Sequence, residues 1–465
     1  MWIEVADRGG ELGATRAGVT GEAPSDVLWH YNLSARHLDK LCERVDTFSV
    51  SGDGERLVVR HRDDTIVVPS SHKVDDDDPA YIRVDLTRLR RTVNPRAEWR
   101  QMFDENGRLM ASHYWREDMN GVDWDSVLNR YRPLVDLCHV VDDLHDILWE
   151  TVAELNTSHS YVSASGAAGD SDMRAGLLGA DVSSGNDGAK VVRVIPGESS
   201  DPRAWSPLRA AGVAVTEGDV IVAVDGRKVG ADGNLGELLE GSAGRVVELT
   251  VRRGENERQV AVVPMADEAP LRYHDWVASR RRYVEEHSGG RLGYLHVPDM
   301  VSDGWAELHR QIGEATRHEG VIADVRFNHG GHTSQLVVER LARRVVGWDY
   351  SRWYATADTY PQNAVRGPIV MVTNQWAGSD GDIVAAATQA MGYAKVIGER
   401  SWGGVVGIDG RFDLVDGTSV TQPRYAGWYG SYGWGVENHG VDPDIVVTVS
   451  PEDWEADCDV QLDAA

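Results

Sequence analysis

Asn374-Gln-Trp-Ala-Gly-Ser-Asp-Gly-Asp382 follows the apolar run Ile369-Val-Met-Val-Thr373 and leads into the alanine-rich stretch Ile383 to Met391. A strand that stops at Gly-Ser-Asp-Gly and continues as a helix sets Ser379 on a strand-to-helix turn. There a serine meets a substrate carbonyl, and the next backbone N–H can face a developing oxyanion. The plainer reading is that Ser379 caps the helix. Further segments extend the alternation: Gly293-Tyr-Leu-His-Val297, a helix through Ile312, Gly320-Val-Ile-Ala-Asp-Val-Arg326, and a helix through Val346. This predicts an α/β domain with a largely parallel sheet, whose chemistry collects at the carboxyl ends of its strands. One such end is Asp324-Val-Arg-Phe-Asn-His-Gly-Gly331. Its glycine pair offers an unhindered N–H, half of an oxyanion hole, although Gly-Gly is also a common loop device.

Upstream, Lys190–Ile195, Asp219–Gly226 and Val246–Arg252 read as strands, with short helices at Leu208–Gly212 and Gly233–Leu239. Gly218-Asp219 enters a buried strand and Asp225-Gly226 makes a tight turn. This order resembles a circularly permuted bacterial PDZ domain, which implies capture of extended peptide termini at a sheet edge; a rigid spacer is the alternative. From Asn94 to Asn156 the pattern is helical, with Trp99, Met102 and Phe103, then Leu134, Leu137, Val140, Val141, Leu144, Ile147 and Leu148 at three- and four-residue steps, expected to pack a core. Phe48–Ser51, Arg56–Arg60 and Thr65–Pro69 alternate as a β-meander or one propeller blade. A lone blade buries little apolar surface, so either it packs on the segment after it or companion blades are missing from the chain. The expected fold is therefore multidomain α/β plus β: residues 1–85 a β-strand segment, 86–175 a helical domain, 176–268 a PDZ-like domain and 269–465 an α/β domain.

The 465 residues, 42% hydrophobic and 26% charged, suffice for several domains with real cores. A net charge of −27 repels phosphate backbones and acidic membranes, and Asp75-Asp-Asp-Asp78 reads as a solvated loop. Neither a nucleic-acid nor a membrane partner is expected. Cys42, Cys138 and Cys458 lack metal-ligand spacing and form no disulfide framework, which fits a reducing compartment. With no leader-like start and no apolar run long enough to cross a bilayer, the expectation is a cytoplasmic protein.

Asp324-x-Arg-x-Asn-x-Gly-Gly331, Trp376-Ala-Gly-Ser-Asp-Gly-Asp382 and Ser401-Trp-Gly-Gly-Val-Val-Gly407 together resemble the carboxyl-terminal half of the tricorn proteases. Residues 86–450 follow that family's order of helical, PDZ and ClpP- or crotonase-like domains. The resemblance implies Ser379 as nucleophile, and the N–H groups of Asp380 and Gly331, or of Gly330 instead, as oxyanion donors. It implies His159, in Leu155-Asn-Thr-Ser-His-Ser-Tyr161, as general base. Ser158 and Glu437, the latter in Gly435-Val-Glu-Asn-His-Gly440, would orient that base. A helix cap for Ser158 and a solvated loop carboxylate for Glu437 are the plainer readings. Asp349, in Gly347-Trp-Asp-Tyr350, would favour basic side chains before the cut, and Trp428, Tyr429, Tyr432 and Trp434 would line a peptide groove or pack the domain. The implied function is intracellular cleavage of oligopeptides by a serine endopeptidase with no metal or organic cofactor. Products would pass to aminopeptidases, and the family's assembly is a hexamer. The family also carries two β-propellers, of which this chain holds at most the last blade. A carboxyl-terminal processing protease would need a lysine near Ser401-Trp-Gly-Gly404, where none stands, and Lys395 reads as part of the strand Ala394–Ile397. A peptide-binding scaffold without catalysis is the third reading.

Overall fold

The computed structural model describes residues 1–4, 26–61, 64–90, 92–164, 173–230, 234–353 and 355–465. The chain forms two compact units, residues 1–93 with 197–205, and residues 94–196 with 206–465.

In the first unit, Thr47–Val50, Arg56–His61, Asp64–Pro69 and Ile82–Arg83 pair in sequence order as an antiparallel meander. Leu57 and Val59 point inward while Arg56, Val58 and Arg60 face out, the two-residue period that a half-buried strand requires. A second antiparallel sheet, Trp2–Glu4, Val27–Asn32 and His37–Glu43, was not singled out by the sequence pattern, yet it supplies Leu28 and Leu41 to the same core.

The second unit opens with three helices, Pro95–His113, Trp124–Val135 and Val141–Ala153. The first starts on Asn94, whose side chain accepts the Ala97 N–H, with Pro95 in the first turn where its missing N–H costs nothing. Met102, Phe103, Met110, Leu144, Leu148 and Leu155 form the core, joined by Leu414 and Val420 from the α/β domain. The expectation fails at Leu134, Leu137 and Val140, which are 42%, 67% and 53% exposed. The second helix stops at Val135 and the third begins at Val141, so helical spacing does not carry across the link and these side chains leave the buried face.

The next domain is an antiparallel sheet with Asn256–Val262, Val247–Arg253, Val220–Val224, Gly188–Val194 and Ala180–Gly185 in spatial order. Asp225 and Gly226 both have positive φ, 47° and 74°, the tight-turn geometry that matches strand twist. The expected helices shrink to a 3-10 turn at Pro207–Arg209 and one α-turn at Leu235–Leu238; Gly233 lies outside the described residues.

The remaining chain builds a parallel sheet of Leu292–His296, Gly320–Asp324, Ile369–Thr373, Lys395–Gly398 and Ile445–Val446, in that spatial order. Gly320–Asp324 is buried along its length, as an inner strand covered on both faces must be. The helix after the glycine pair ends at Leu341, short of Val346, and the chain turns into a hairpin of Gly347–Asp349 and Asp358–Tyr360. Among the described residues no helix is long and apolar enough to cross a membrane.

Candidate active site

Two loops leave neighbouring strands at the carboxyl edge of this sheet. The first is anchored by the buried Arg326, whose guanidinium pairs with Asp324 at 2.7 Å and Asp459 at 2.9 Å. Asn328, fully buried, donates from Nδ2 to the Val297 carbonyl at 2.8 Å, accepts the Gly330 N–H on Oδ1 at 2.9 Å, and accepts the Gly378 N–H on its carbonyl at 3.0 Å. Asn374 Oδ1 accepts the N–H of Phe327 at 3.0 Å and of Trp376 at 3.2 Å. The two asparagines thus brace one loop against the other. Under that bracing Ser379 is held at φ 57° and ψ −120°. A side-chain-bearing residue avoids that region at a cost of about 1–3 kcal/mol, and such strain concentrates at functional turns.

Ser379 Oγ makes no capping bond to the helix after it, Asp380–Met391, so the plain N-cap reading does not account for it. The Asp380 N–H, at the electropositive start of that helix, donates to no group among the described residues. On the facing loop the Gly330 carbonyl accepts the Met300 N–H at 2.7 Å, and the Gly330 N–H is taken by Asn328. The Gly331 N–H donates to no described group, so of the two glycines Gly331 keeps the free donor. Neither position tolerates a side chain: a Cβ on Gly331 would stand 2.2 Å from the Met300 carbonyl oxygen, and one on Gly330 would stand 2.5 Å from Ser379 Cβ.

His159 arrives from the helical domain on a segment stitched to the α/β domain. Asn438 Nδ2 donates to the Asn156 carbonyl at 2.7 Å. Thr421 Oγ1 donates to the His159 carbonyl at 3.0 Å and accepts the Tyr161 N–H at 2.8 Å, and Val162–Ser163 pairs with Ser419–Val420. Glu437 accepts four donors: the Ser158 N–H at 2.8 Å on Oε1, and on Oε2 the Ser158 hydroxyl at 3.1 Å with the N–H of Val405 and Val406 at 2.8 and 3.0 Å. Ser158 Oγ lies 2.8 Å from His159 Nδ1. A carboxylate only accepts, so the Ser158 proton points to Glu437 and the His159 Nδ1–H donates to Ser158 Oγ. His159 Nε2 is left with the lone pair. Burial holds the His159 pKa below its usual value, and Glu437 offsets this only in part, so the ring is neutral at neutral pH.

Trp402 stands between the two halves. Its N–H donates to the Ala377 carbonyl at 2.9 Å, its ring lies where a Gly378 side chain would be, 2.6 Å from that Cβ position, and its edge meets the His159 ring at 5.4 Å. Ser158, His159 and Glu437 are therefore joined directly, and Gly330 lies directly against Ser379. No hydrogen bond links Ser379 to His159 among the described residues. Asp349 sits exposed on the Gly347–Asp349 hairpin, opposite Asp358, with no hydrogen bond to either group among the described residues. Of the four aromatics, Tyr429 and Tyr432 pack on the core, while Trp434, tilted against Trp115 at 5.3 Å, and Trp428 are both exposed. Sequence reasoning missed the roles of Asn328, Asn374, Trp402 and Thr421. The first three lie inside or beside the quoted motifs, where a buried amide at a strand exit is a usable signal; Thr421 carries none.

Residues 95–153 match the Tricorn protease C1 domain, 176–267 the Tricorn protease PDZ domain, and 291–447 Peptidase family S41. The chain is 56% identical over 461 residues to Tricorn protease homolog 1 of Streptomyces coelicolor, covering 98% of this chain and 43% of that protein. To the tricorn protease of Thermoplasma acidophilum it is 35% identical over 446 residues, 96% of this chain and 41% of that one. A crystal structure of the tricorn protease superposes with a TM-score of 0.90 at 33% identity, covering 99% of this chain and 44% of that chain. The chain thus spans less than half the length of these relatives. With C1, PDZ and S41 domains in the order its motifs implied, and similarity over nearly its whole length, the chain belongs to the tricorn protease family.

Proposed function

We propose that this chain is a tricorn-like serine endopeptidase that cleaves oligopeptides in the cytoplasm. Ser379 Oγ attacks the scissile carbonyl while His159 Nε2 takes its proton. The N–H groups of Gly331 and Asp380 hold the oxyanion of the tetrahedral intermediate. His159 then returns the proton to the departing amine, and a water, activated by the same imidazole, hydrolyses the acyl-enzyme. The observation that carries this reading is the Glu437–Ser158–His159 hydrogen-bond chain, which leaves a neutral imidazole with its lone pair on Nε2. Proton transfer of this kind contributes about 10²–10⁴-fold to rate. A lysine mechanism finds no support, since Lys395 is exposed and pairs with Asp444 at 3.0 Å.

The PDZ domain would present peptides by its sheet edge, Asp349 would favour Arg or Lys before the cut, the chain would assemble as a hexamer, and its products would feed aminopeptidases. Hydrolysis of short fluorogenic peptides ending in Arg, Lys or Phe tests the reading with wild type beside Ser379→Ala, His159→Ala and Asp349→Ala. Wild type should cleave, the first two variants should not, and the third should lose only the preference for Arg and Lys. A wild type inert in every oligomeric state would instead favour a peptide-binding scaffold.

A further inference from the structure

Asp382 lies on the Ser379 side of the site, in the first turn of the helix that begins after the serine, and is fully buried. Its Oδ1 accepts the Ser401 hydroxyl and, at 2.8 Å, the Gly403 N–H; its Oδ2 accepts the Gly404 N–H at 3.3 Å. Ser401 Oγ in turn accepts the Val441 N–H at 2.9 Å. No lysine, arginine or histidine forms an ion pair with Asp382 among the described residues. A buried carboxylate without a cation is costly, and burial pushes this one up to about 6 against the pull of its hydrogen bonds. Packing alone would be served better by an apolar side chain.

The segment that Asp382 holds explains the carboxylate. Trp402, between two of its anchors, covers Gly378 and meets the His159 ring. Just beyond the third anchor, the Val405 and Val406 N–H groups are half of the donors on Glu437. One buried side chain therefore ties the helix that starts at Ser379 to the stretch that shapes both the base and its carboxylate. We infer that Asp382 is a positioning residue for the reaction, fixing the His159 ring relative to Ser379 through residues 401–406. The inference rests on the proposed peptidase reading. Because Ser379 and His159 share no direct hydrogen bond, their alignment depends on such indirect ties, and losing one lowers the rate of the chemical step rather than the affinity for substrate.

The test compares wild type with Asp382→Ala and Asp382→Asn, following kcat and KM against pH, the fraction of Ser379 labelled by a fluorophosphonate, and the His159 imidazole titration by NMR. Asp382→Ala should lose about 10²-fold in kcat with KM within about threefold, the size expected when reacting groups shift by an ångström. Its His159 pKa, with Glu437 and Tyr161 still facing the ring, should rise toward about 6.5 as Trp402 ceases to shield it. Asp382→Asn keeps an acceptor oxygen for Ser401 and Gly403 and should recover to within about tenfold of wild type. An Asp382→Ala protein with unchanged kcat and an unmoved His159 titration overturns the inference, as does a fall in activity that merely tracks the fraction of labelled sites. Should Asp382→Ala not fold, Trp402→Ala, which leaves the Asp382 hydrogen bonds in place, must raise the His159 pKa in the same way. A wild type without hydrolysis sinks the peptidase reading, and the NMR titration still decides the inference.

Discussion

The two halves of the proposed site, one carrying the base and one the nucleophile, are built by different means. The base half is a side-chain device: Ser158, His159 and Glu437 are joined by hydrogen bonds across 279 residues of sequence, and Glu437 gathers four donors on its two oxygens. The nucleophile half is a backbone device, in which two buried asparagines brace the loops around Ser379, Ser379 adopts a positive φ, and two N–H groups are left without partners among the described residues. A side-chain network can be trimmed one bond at a time. A backbone turn has no such intermediate states, because the glycines that permit it leave no room for even a methyl group.

That contrast is sharpest when both halves are removed. Ser379→Ala and His159→Ala should each abolish peptide cleavage, by about 10⁴-fold or more, and the double variant should be no worse than either, since the groups act as a unit; additive losses measured by single-turnover kinetics would break the pairing. Gly331→Ala should come next, with kcat down about 10²–10³-fold because the clash at Met300 displaces the N–H that serves as oxyanion donor, and with a lower Tm from the same clash. Ser158→Ala removes one link yet leaves Glu437 three donors, so a loss of roughly 10–10²-fold in kcat with an unchanged melting curve is expected. A Ser158→Ala loss larger than that of Gly331→Ala would reverse the ranking of the halves.

Acid should also separate them. His159 titrates below about 6.5, so kcat/KM should be flat at neutral pH and fall about tenfold per pH unit once the ring protonates. A rate unchanged well below that pH would remove His159 as base. Stability runs in opposite senses. The folded His159 binds its proton less readily than the unfolded chain, so its contribution is present above about pH 6.5 and is lost as pH falls. Asp382, raised to about 6, binds its proton more readily when folded, so stability falls as pH rises through the window from 3.8 to about 6. Melting curves of wild type and Asp382→Asn across that window should diverge most at its upper end. The smallest effect is expected for Thr421→Val, about threefold in kcat, since it loosens the His159 strand without touching the ring.

Legibility in the sequence divides along the same line. The nucleophile half lies in continuous motifs, Asp324 to Gly331 and Asn374 to Asp382, whose strand, turn and helix signals are local, so both turns could be placed before any contact was known. Ser158, His159 and Glu437 were found only because they resemble a family's motifs; no periodicity joins residue 158 to residue 437. Trp402 and Thr421 act through contacts between distant segments, which local pattern cannot encode. The exposed Leu134, Leu137 and Val140 make the same point in reverse, because a three- and four-residue spacing continued across a helix break and imitated a buried face that is not there.

The shared core of the helical domain and the segment around Leu414 and Val420 has a consequence for synthesis. Residues 95–155 leave the ribosome long before residues 414–437, so the helices that deliver His159 wait for their last packing partners until the PDZ domain and most of the α/β domain have been made. A nascent chain interrupted between Asp382 and Glu437 carries the serine turn but lacks the orienting carboxylate. On the proposed mechanism, the order of translation would act as a safety catch, arming the centre only once Glu437 has emerged.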